Sequence, residues 1–232
     1  MISVGNDIIS LKSVDAARTK QAQFYTKFLT SEEVDLYDEK FTAILPFEHF
    51  AWLLWSVKES VYKCHKRNNT QLIFSPKKIT IPQVELPKAQ PVVAFASSQL
   101  EQNATDDTQL VTCKATFGEY SFYSQSIIFR ELIYTIASNT SDFSCLNWGL
   151  ATIEDDNYES QYTSVRSLLL TRLQKSFFNR ALQIVKDDAG IPILMIDDQL
   201  ANVPFSLSHH DNYVGYCFLL AEHAQNNEHI TN

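Results

Sequence analysis

Glycine is scarce in this chain of 232 residues, with only five in all. They leave no glycine-rich loop of the kind that wraps backbone N–H groups around a nucleotide phosphate, which sets aside an unrelated Mg²⁺-dependent kinase. Cysteine is scarce too. Cys64, Cys113, Cys145 and Cys217 are far apart, and no pair has CxxC spacing. Neither a disulfide framework nor a thiolate zinc site is expected, and the thiols read as reduced. No apolar run reaches the ~18 residues of a membrane span. Ile2–Ile9 is too short and too acidic for a signal-peptide core. No membrane partner and a cytoplasmic location are therefore expected. Positive charge is in deficit: 19 Lys and Arg against 27 Asp and Glu set the formal net charge at −8. That argues against nucleic acid as a general partner. A local basic patch remains possible, because Lys58, Lys63, Lys66, Arg67, Lys77 and Lys78 crowd together.

The most informative stretch present is Phe47 to about Arg67, which contains no Gly and no Pro. Phe47, Phe50, Ala51, Leu54, Val57, Val61 and Cys64 recur at three- and four-residue steps, the period of one helix face. Glu59 and Lys63 lie four apart on that helix and point the same way. An exposed pair of this kind contributes only a few tenths of a kcal/mol. This one is embedded among Trp55, Val57, Tyr62 and Cys64, where charges are seldom carried for solubility alone.

The rest of the chain has a coarse rhythm. Met1–Ser10 reads as a strand interrupted by Asp7, a carboxylate that needs a partner or a metal unless it lies at the strand end as a cap. Asp15–Phe28 reads as a helix. Thr30 and Glu33 have capping-box spacing and open a helix through about Tyr37. Gln71–Pro82 reads as a strand kinked at Pro76, followed by a loop bracketed by Pro87 and Pro91, a strand at Val92–Ala96 and a loop at Ser97–Thr108. Leu110–Phe117 and Tyr120–Ser126 flank the turn Gly118-Glu119. Ile127–Ala137 is strand or short helix. A polar link at Ser138–Asp142 divides the chain into residues 1–140 and 141–232. Beyond it come a strand at Leu146–Ile153, a helix at Gln161–Phe178, a turn at Lys186–Gly190, strands at Ile191–Ile196, Val203–Ser208 and Tyr213–Leu220, and a frayed tail at Asn226–Asn232.

Three segments together resemble the 4′-phosphopantetheinyl transferase superfamily. Val4-Gly5-Asn6-Asp7-Ile8 is similar to its G-x-D strand. Trp55 to Lys63 is similar to its W-(S/T/A)-x-K-E-(S/A)-x-x-K helix. Phe205-Ser206-Leu207-Ser208-His209 is similar to its S-x-S-H strand end. Phe28–Glu33 and Gly190-Ile191-Pro192 add weaker matches, so that the resemblance covers about residues 1–82 and 160–220. The motif order is that of the small trimeric holo-acyl-carrier-protein synthases, whereas the length is that of the large two-half enzymes. The implied fold is α+β, a pseudodimer of two similar halves, each a long helix packed on a small antiparallel sheet. Residues 1–137 would correspond to the large type's second half and residues 143–232 to its first, a circular permutation that favours a monomer. The alternative is a small type with an insertion after Lys63, assembling as a trimer.

The resemblance implies Mg²⁺-dependent transfer of 4′-phosphopantetheine from coenzyme A to a serine of an acyl carrier protein or peptidyl carrier domain. Asp7 and Glu59 would be the metal ligands. Glu59, Lys63 and Asp7 would be the catalytic residues. His209, Arg166, Lys63, Ser208 and Ser167 would bind coenzyme A. Lys66, Arg67, Lys77 and Lys78 would steer an acidic carrier. Ile9 stands where many large-type members have a third carboxylate, Ile191 stands at the family's G-K-P lysine, and the acidic Glu154-Asp155-Asp156 lies where basic residues are common. His210 replaces what is often a small polar residue. A non-catalytic coenzyme A or carrier-protein binding module of the same fold is the competing reading. It would require loss of the metal or phosphate residues.

Overall fold

The opening strand, β1 (Val4–Ser10), is buried at every residue. The computed structural model describes residues 1–86, 99–101, 110–129 and 131–220. The expectations for the Pro87–Pro91 loop, the Val92–Ala96 strand, most of Ser97–Thr108 and the Asn226–Asn232 tail lie outside those residues.

Asp7 sits in the middle of β1, so the strand-end cap is ruled out. The expected helix over Asp15–Phe28 is instead two single turns, α1 (Ala16–Thr19) and α2 (Ala22–Tyr25). Asp15 caps the first, and Gln21 is extended and resets the chain direction. The break lets Thr19 turn inward and accept a bond from Trp52 Nε1 at 3.1 Å. The capping box forms as the spacing predicts: Thr30 and Glu33 exchange both bonds at the start of α3 (Ser31–Asp35). One further turn, α4 (Glu39–Thr42), leads to α5 (Phe47–Lys66). Pro46 opens α5 with φ of −67°, already suited to helix entry and with no N–H to satisfy. Phe50, Ala51, Leu54, Val57, Val61 and Cys64 are all buried along the expected face.

The anticipated strand over Gln71–Pro82 begins only at Ile79. Pro76–Lys78 forms a 3₁₀ turn, and β2 runs Ile79–Glu85. Gln99–Glu101 forms a short strand, β3, where a loop was expected. Ladder bonds are made by the backbone, so polar residue types do not forbid them. β4 (Val111–Phe117) and β5 (Tyr120–Phe129) are joined by the two-residue turn, with Gly118 at φ +60°. In the ambiguous stretch at Ile127–Ala137, β5 runs to Phe129 and β6 covers Leu132–Ser138, so its described residues are mostly strand. Then come β7 (Leu146–Thr152), α6 (Tyr158–Gln174), β8 (Leu182–Lys186), β9 (Pro192–Ile196), β10 (Gln199–Ala201), β11 (Phe205–His210) and β12 (Tyr213–Leu219). Sequence patterning missed β8, which is short and half-buried, and β10, which is shorter and mostly exposed.

The fold is α+β with antiparallel sheets. A five-stranded sheet has the order β1-β6-β5-β4-β2, a four-stranded sheet β11-β12-β7-β3, and a small third sheet β10-β9-β8. The two larger sheets share one connection. A first strand leads to a long helix, and a closing hairpin returns its last strand to pair with the first: β1, α5 and β5–β6 in one, β7, α6 and β11–β12 in the other. α5 packs on β1 and β6, and α6 on β12 and β11. β1 and β11 are both edge strands, and they pack against each other.

Strand alternation divides β1 between two cores. Ile9 faces α5, whereas Val4 and Ile8 face Trp148, Leu150 and Cys217 of the second sheet. Gly5 lies directly under α5. A Cβ there would come within 2.0 Å of the Ser60 carbonyl oxygen and 2.6 Å of the Cys64 nitrogen. Backbone atoms of a packed helix cannot rotate away. Gly5→Ala is therefore expected to push α5 off β1 at a cost of about 1–3 kcal/mol, the usual range for overpacking. An unchanged urea midpoint would contradict that contact.

Candidate active site

Asp7 faces α5, and the helix presents Glu59 and Lys63 to it. Lys63 Nζ donates to Asp7 Oδ1 at 3.0 Å and to the Asn6 carbonyl oxygen at 3.0 Å, with Glu59 Oε1 at 3.7 Å. The Asn6 carbonyl is free for this because β1 is an edge strand. Asp7 Oδ2 is buried and, among the described residues, has no hydrogen-bond partner. Burial, and then the Asp7 charge, raise the Glu59 carboxyl above the ordinary carboxylate range, with Lys63 opposing. Burial lowers Lys63, but Asp7 and Glu59 outweigh it, so the ammonium is held more firmly than usual. The side chains of Lys63 and Glu59 remain 27% and 31% exposed, and a ligand can reach both.

Two convergent carboxylates, one with an orphaned buried oxygen, suit a hard cation that prefers oxygen ligands. Among the described residues no third His, Cys, Asp or Glu completes a metal cluster. Ile9, on the same face of β1 as Asp7, is packed into the core beneath α5. A cation here would take its remaining ligands from water and substrate, the habit of Mg²⁺.

Asn6, which the sequence reading passed over as the unspecified middle residue of G-x-D, locks the two sheets together. Its N–H donates to Ser206 Oγ at 3.1 Å. Its side-chain amide donates to Ser208 Oγ at 2.7 Å and to the Gly215 carbonyl at 3.1 Å. Ser206 and Ser208 are two apart on one face of β11, and this gives the S-x-S spacing a structural use. Ser208 is thus buried in the seam and not exposed on a nucleotide pocket. His210 also belongs to the seam, with Nδ1 3.3 Å from both the Ser10 nitrogen and the Ile8 carbonyl oxygen.

His209, on the opposite face of β11 from Ser208, sits beside the α6 residue Tyr158, with ring centroids 6.1 Å apart. Burial, then the charges of Lys63, His210 and Arg166, lower its pKa. The lowered pKa keeps the imidazole neutral near pH 7. Arg166 stacks on Tyr162, its guanidinium carbon 3.3 Å from the ring centroid. Ser167 is exposed one position along α6 and lines a separate cavity of about 440 Å³ with Thr163, Ser164 and Thr171. That cavity is not lined by Asp7, Glu59, Lys63, Arg166 or His209.

The expected basic patch is split. Lys58 is fully buried and pairs with Glu33 at 2.7 Å. Lys66 donates to Tyr62 and to the Leu72 carbonyl. Arg67 lies over the Phe205 ring and donates to the Pro192 carbonyl. Of the six, only Lys77 and Lys78 are exposed. All four cysteines are free thiols, and burial lifts Cys64 and Cys113 to about 12, which makes them poor nucleophiles. No helix is long and apolar enough to cross a membrane, among the described residues.

Residues 3–114 match the model of a family described as the 4′-phosphopantetheinyl transferase superfamily. No curated protein and no solved structure matches the chain.

Proposed function

The chain belongs, through residues 3–114, to the 4′-phosphopantetheinyl transferase superfamily, and on that premise we propose that it moves 4′-phosphopantetheine from coenzyme A to a serine of an apo acyl or peptidyl carrier protein. The observation that carries this reading is the meeting of Asp7, Glu59 and Lys63 at the edge of β1. A cleft between two sheets is a common place for a ligand.

Asp7 and Glu59 would hold Mg²⁺. When bound, the ion neutralises the pyrophosphate and stabilises charge developing on the leaving group. Lys63 places an ammonium beside the same phosphates, held there by Asp7 and the Asn6 carbonyl. The serine oxygen attacks the phosphorus nearer the pantetheine. The bond from that phosphorus to the bridging oxygen breaks, and adenosine 3′,5′-bisphosphate leaves. Glu59 takes the serine proton at its carboxylate. His209 and Arg166 bind phosphate oxygens of coenzyme A, with the neutral His209 imidazole donating an N–H. Lys77 and Lys78 remain available to steer an acidic carrier.

The shared connection of the two larger sheets supports the reading of the chain as a permuted pseudodimer divided near residue 140, which needs no second copy to complete the site and favours a monomer. The four free thiols support a cytoplasmic setting.

Mass spectrometry of an apo-acyl carrier protein incubated with this protein, coenzyme A and Mg²⁺ tests the proposal. The carrier should gain the phosphopantetheine mass, lose that gain with EDTA and recover it with added Mg²⁺. Failure on acyl and peptidyl carriers alike, with coenzyme A still bound, would leave a binding module in place of the enzyme.

A further inference from the structure

The residue before Asp7 is bonded to the residue before His209. Asn6 Nδ2 donates to Ser208 Oγ at 2.7 Å and to the Gly215 carbonyl oxygen at 3.1 Å. Ser208 and Gly215 stand directly opposite each other in the β11–β12 ladder. One amide group therefore holds both strands of the closing hairpin at a single rung, next to His209. Tyr134 Oη, from β6, is a third neighbour of Nδ2 at 3.3 Å and itself donates to the Tyr216 carbonyl oxygen at 2.7 Å. The main chain of Asn6 serves both sides of the seam. Its N–H donates to Ser206 Oγ at 3.1 Å, and its carbonyl oxygen accepts from Lys63 Nζ at 3.0 Å. A single residue thus touches Lys63 on α5 and the strand that carries His209.

Asn6 is fully buried, and its Oδ1 has no hydrogen-bond partner among the described residues. A buried polar group that is only half satisfied does less for stability than an apolar one. A leucine, close to asparagine in size, would leave no orphaned oxygen. What leucine lacks is the pair of donors that meets Ser208 and Gly215. His210 and Asp211 hold the seam farther along, at Ser10 and Ser13. The two sheets should therefore stay joined when the Asn6 amide is removed.

We infer that Asn6 is a positioning residue for the transfer: through Ser208 and Gly215 it sets where His209 stands relative to Asp7 and Lys63. The inference rests on the transferase reading above, and its test fails separately from that reading.

kcat/KM for coenzyme A would be measured for the parent, Asn6→Leu, His209→Ala and the double variant. Asn6→Leu keeps the main-chain carbonyl that holds Lys63, so it isolates the amide. A misplacement of about 1 Å can cost about 10²-fold, and Asn6→Leu should lower kcat/KM at least about tenfold. In the His209→Ala background the same substitution should cost no more than about threefold, because the group it positions is gone. KM for the carrier should stay at the parent value in all four proteins. Ser208→Ala removes the same contact from the other side with a smaller change in volume. It should repeat the pattern more weakly, and it carries the cycle if Asn6→Leu does not fold. A residue that only stabilises the fold would cost the same factor with and without His209. That equal factor, or an Asn6→Leu protein as active as its parent, overturns the inference while the transferase reading stands.

A second arm needs no transfer. Isothermal titration calorimetry of coenzyme A against the same four proteins reads the coupling in Kd. Non-additive losses of affinity support the inference even where no carrier is modified. Additive losses, or a parent that does not bind coenzyme A, overturn it.

Discussion

Glu59→Gln should abolish carrier modification while leaving the protein at least as stable as its parent. The substitution keeps the shape of the side chain and removes one negative charge. That charge sits in a partly buried place beside Asp7, and burial followed by Asp7 already raises the Glu59 pKa. Folding therefore works against the Glu59 carboxylate, and neutralising it relieves both terms. What is lost in return is the i,i+4 pair with Lys63 at 3.7 Å, a few tenths of a kcal/mol. The melting temperature should stay level or rise by about 1–2 °C in a chain of this size. Activity should behave oppositely. Glutamine is a poor ligand for a hard cation and cannot accept the serine proton. Loss of a positioned general base alone is worth roughly 10²–10⁴-fold. A time course of the carrier mass shift, run beside a thermal melt, reads both quantities. Turnover within about tenfold of the parent would remove Glu59 from the chemistry, since even the weaker end of that range exceeds it. A collapsed melt would mean that the carboxylate is structural.

Glu33→Ala should cost about 3–5 kcal/mol, the usual penalty for breaking a buried ion pair on one side. Glu33 is 1% exposed, and Lys58 is completely covered. Glu33 Oε2 accepts from Lys58 Nζ at 2.7 Å and from the Thr30 nitrogen at 2.9 Å, while Oε1 accepts from the Ile81 nitrogen at 2.9 Å. One carboxylate thus ties α3, β2 and α5 together. Burial holds the Lys58 pKa below the ordinary lysine range, with Glu33 opposing. Without Glu33 the ammonium keeps only the Phe28 carbonyl, at 2.8 Å. The double variant Glu33→Met with Lys58→Met should recover much of the loss, because apolar replacement of both partners is often neutral. Urea denaturation of the parent and the two variants compares the losses. A single-variant loss below about 1 kcal/mol would mean that the pair is not what fixes this corner, given the several kcal/mol expected of an uncompensated buried charge. Lys58 immediately precedes Glu59, so the same variant should lose transfer through displacement of the neighbouring carboxylate.

Lys58 also marks where sequence reading stopped. Its sequence neighbours made it part of a basic cluster, and nothing along the chain paired it with a glutamate 25 positions earlier. Asn6 is a similar case. Between two motif residues it reads as filler, yet it makes the bonds that bring β11 onto β1. A nearer look at S-x-S would have shown two hydroxyls on one strand face, a hint of a polar partner opposite. No feature along the chain announced that the partner was Asn6.

What the sequence determined by itself was local: the amphipathic period of α5, the capping box at Thr30 and Glu33, the turn at Gly118, and the placement of Glu59 one turn before Lys63. Each depends on contacts within a few residues, which periodicity and side-chain chemistry specify. Tertiary structure alone decided the rest. It split the helix expected after Asp15, because Thr19 is drawn inward to Trp52. It set Ser208 in the seam and left His209 exposed beside Tyr158, because adjacent strand residues face opposite ways and only the packed sheets say which side is which. It separated Ser167 from Arg166, and it left an oxygen of Asp7 buried without a partner beside Glu59. Those outcomes depend on which edges and faces meet, and that is a property of the whole folded chain.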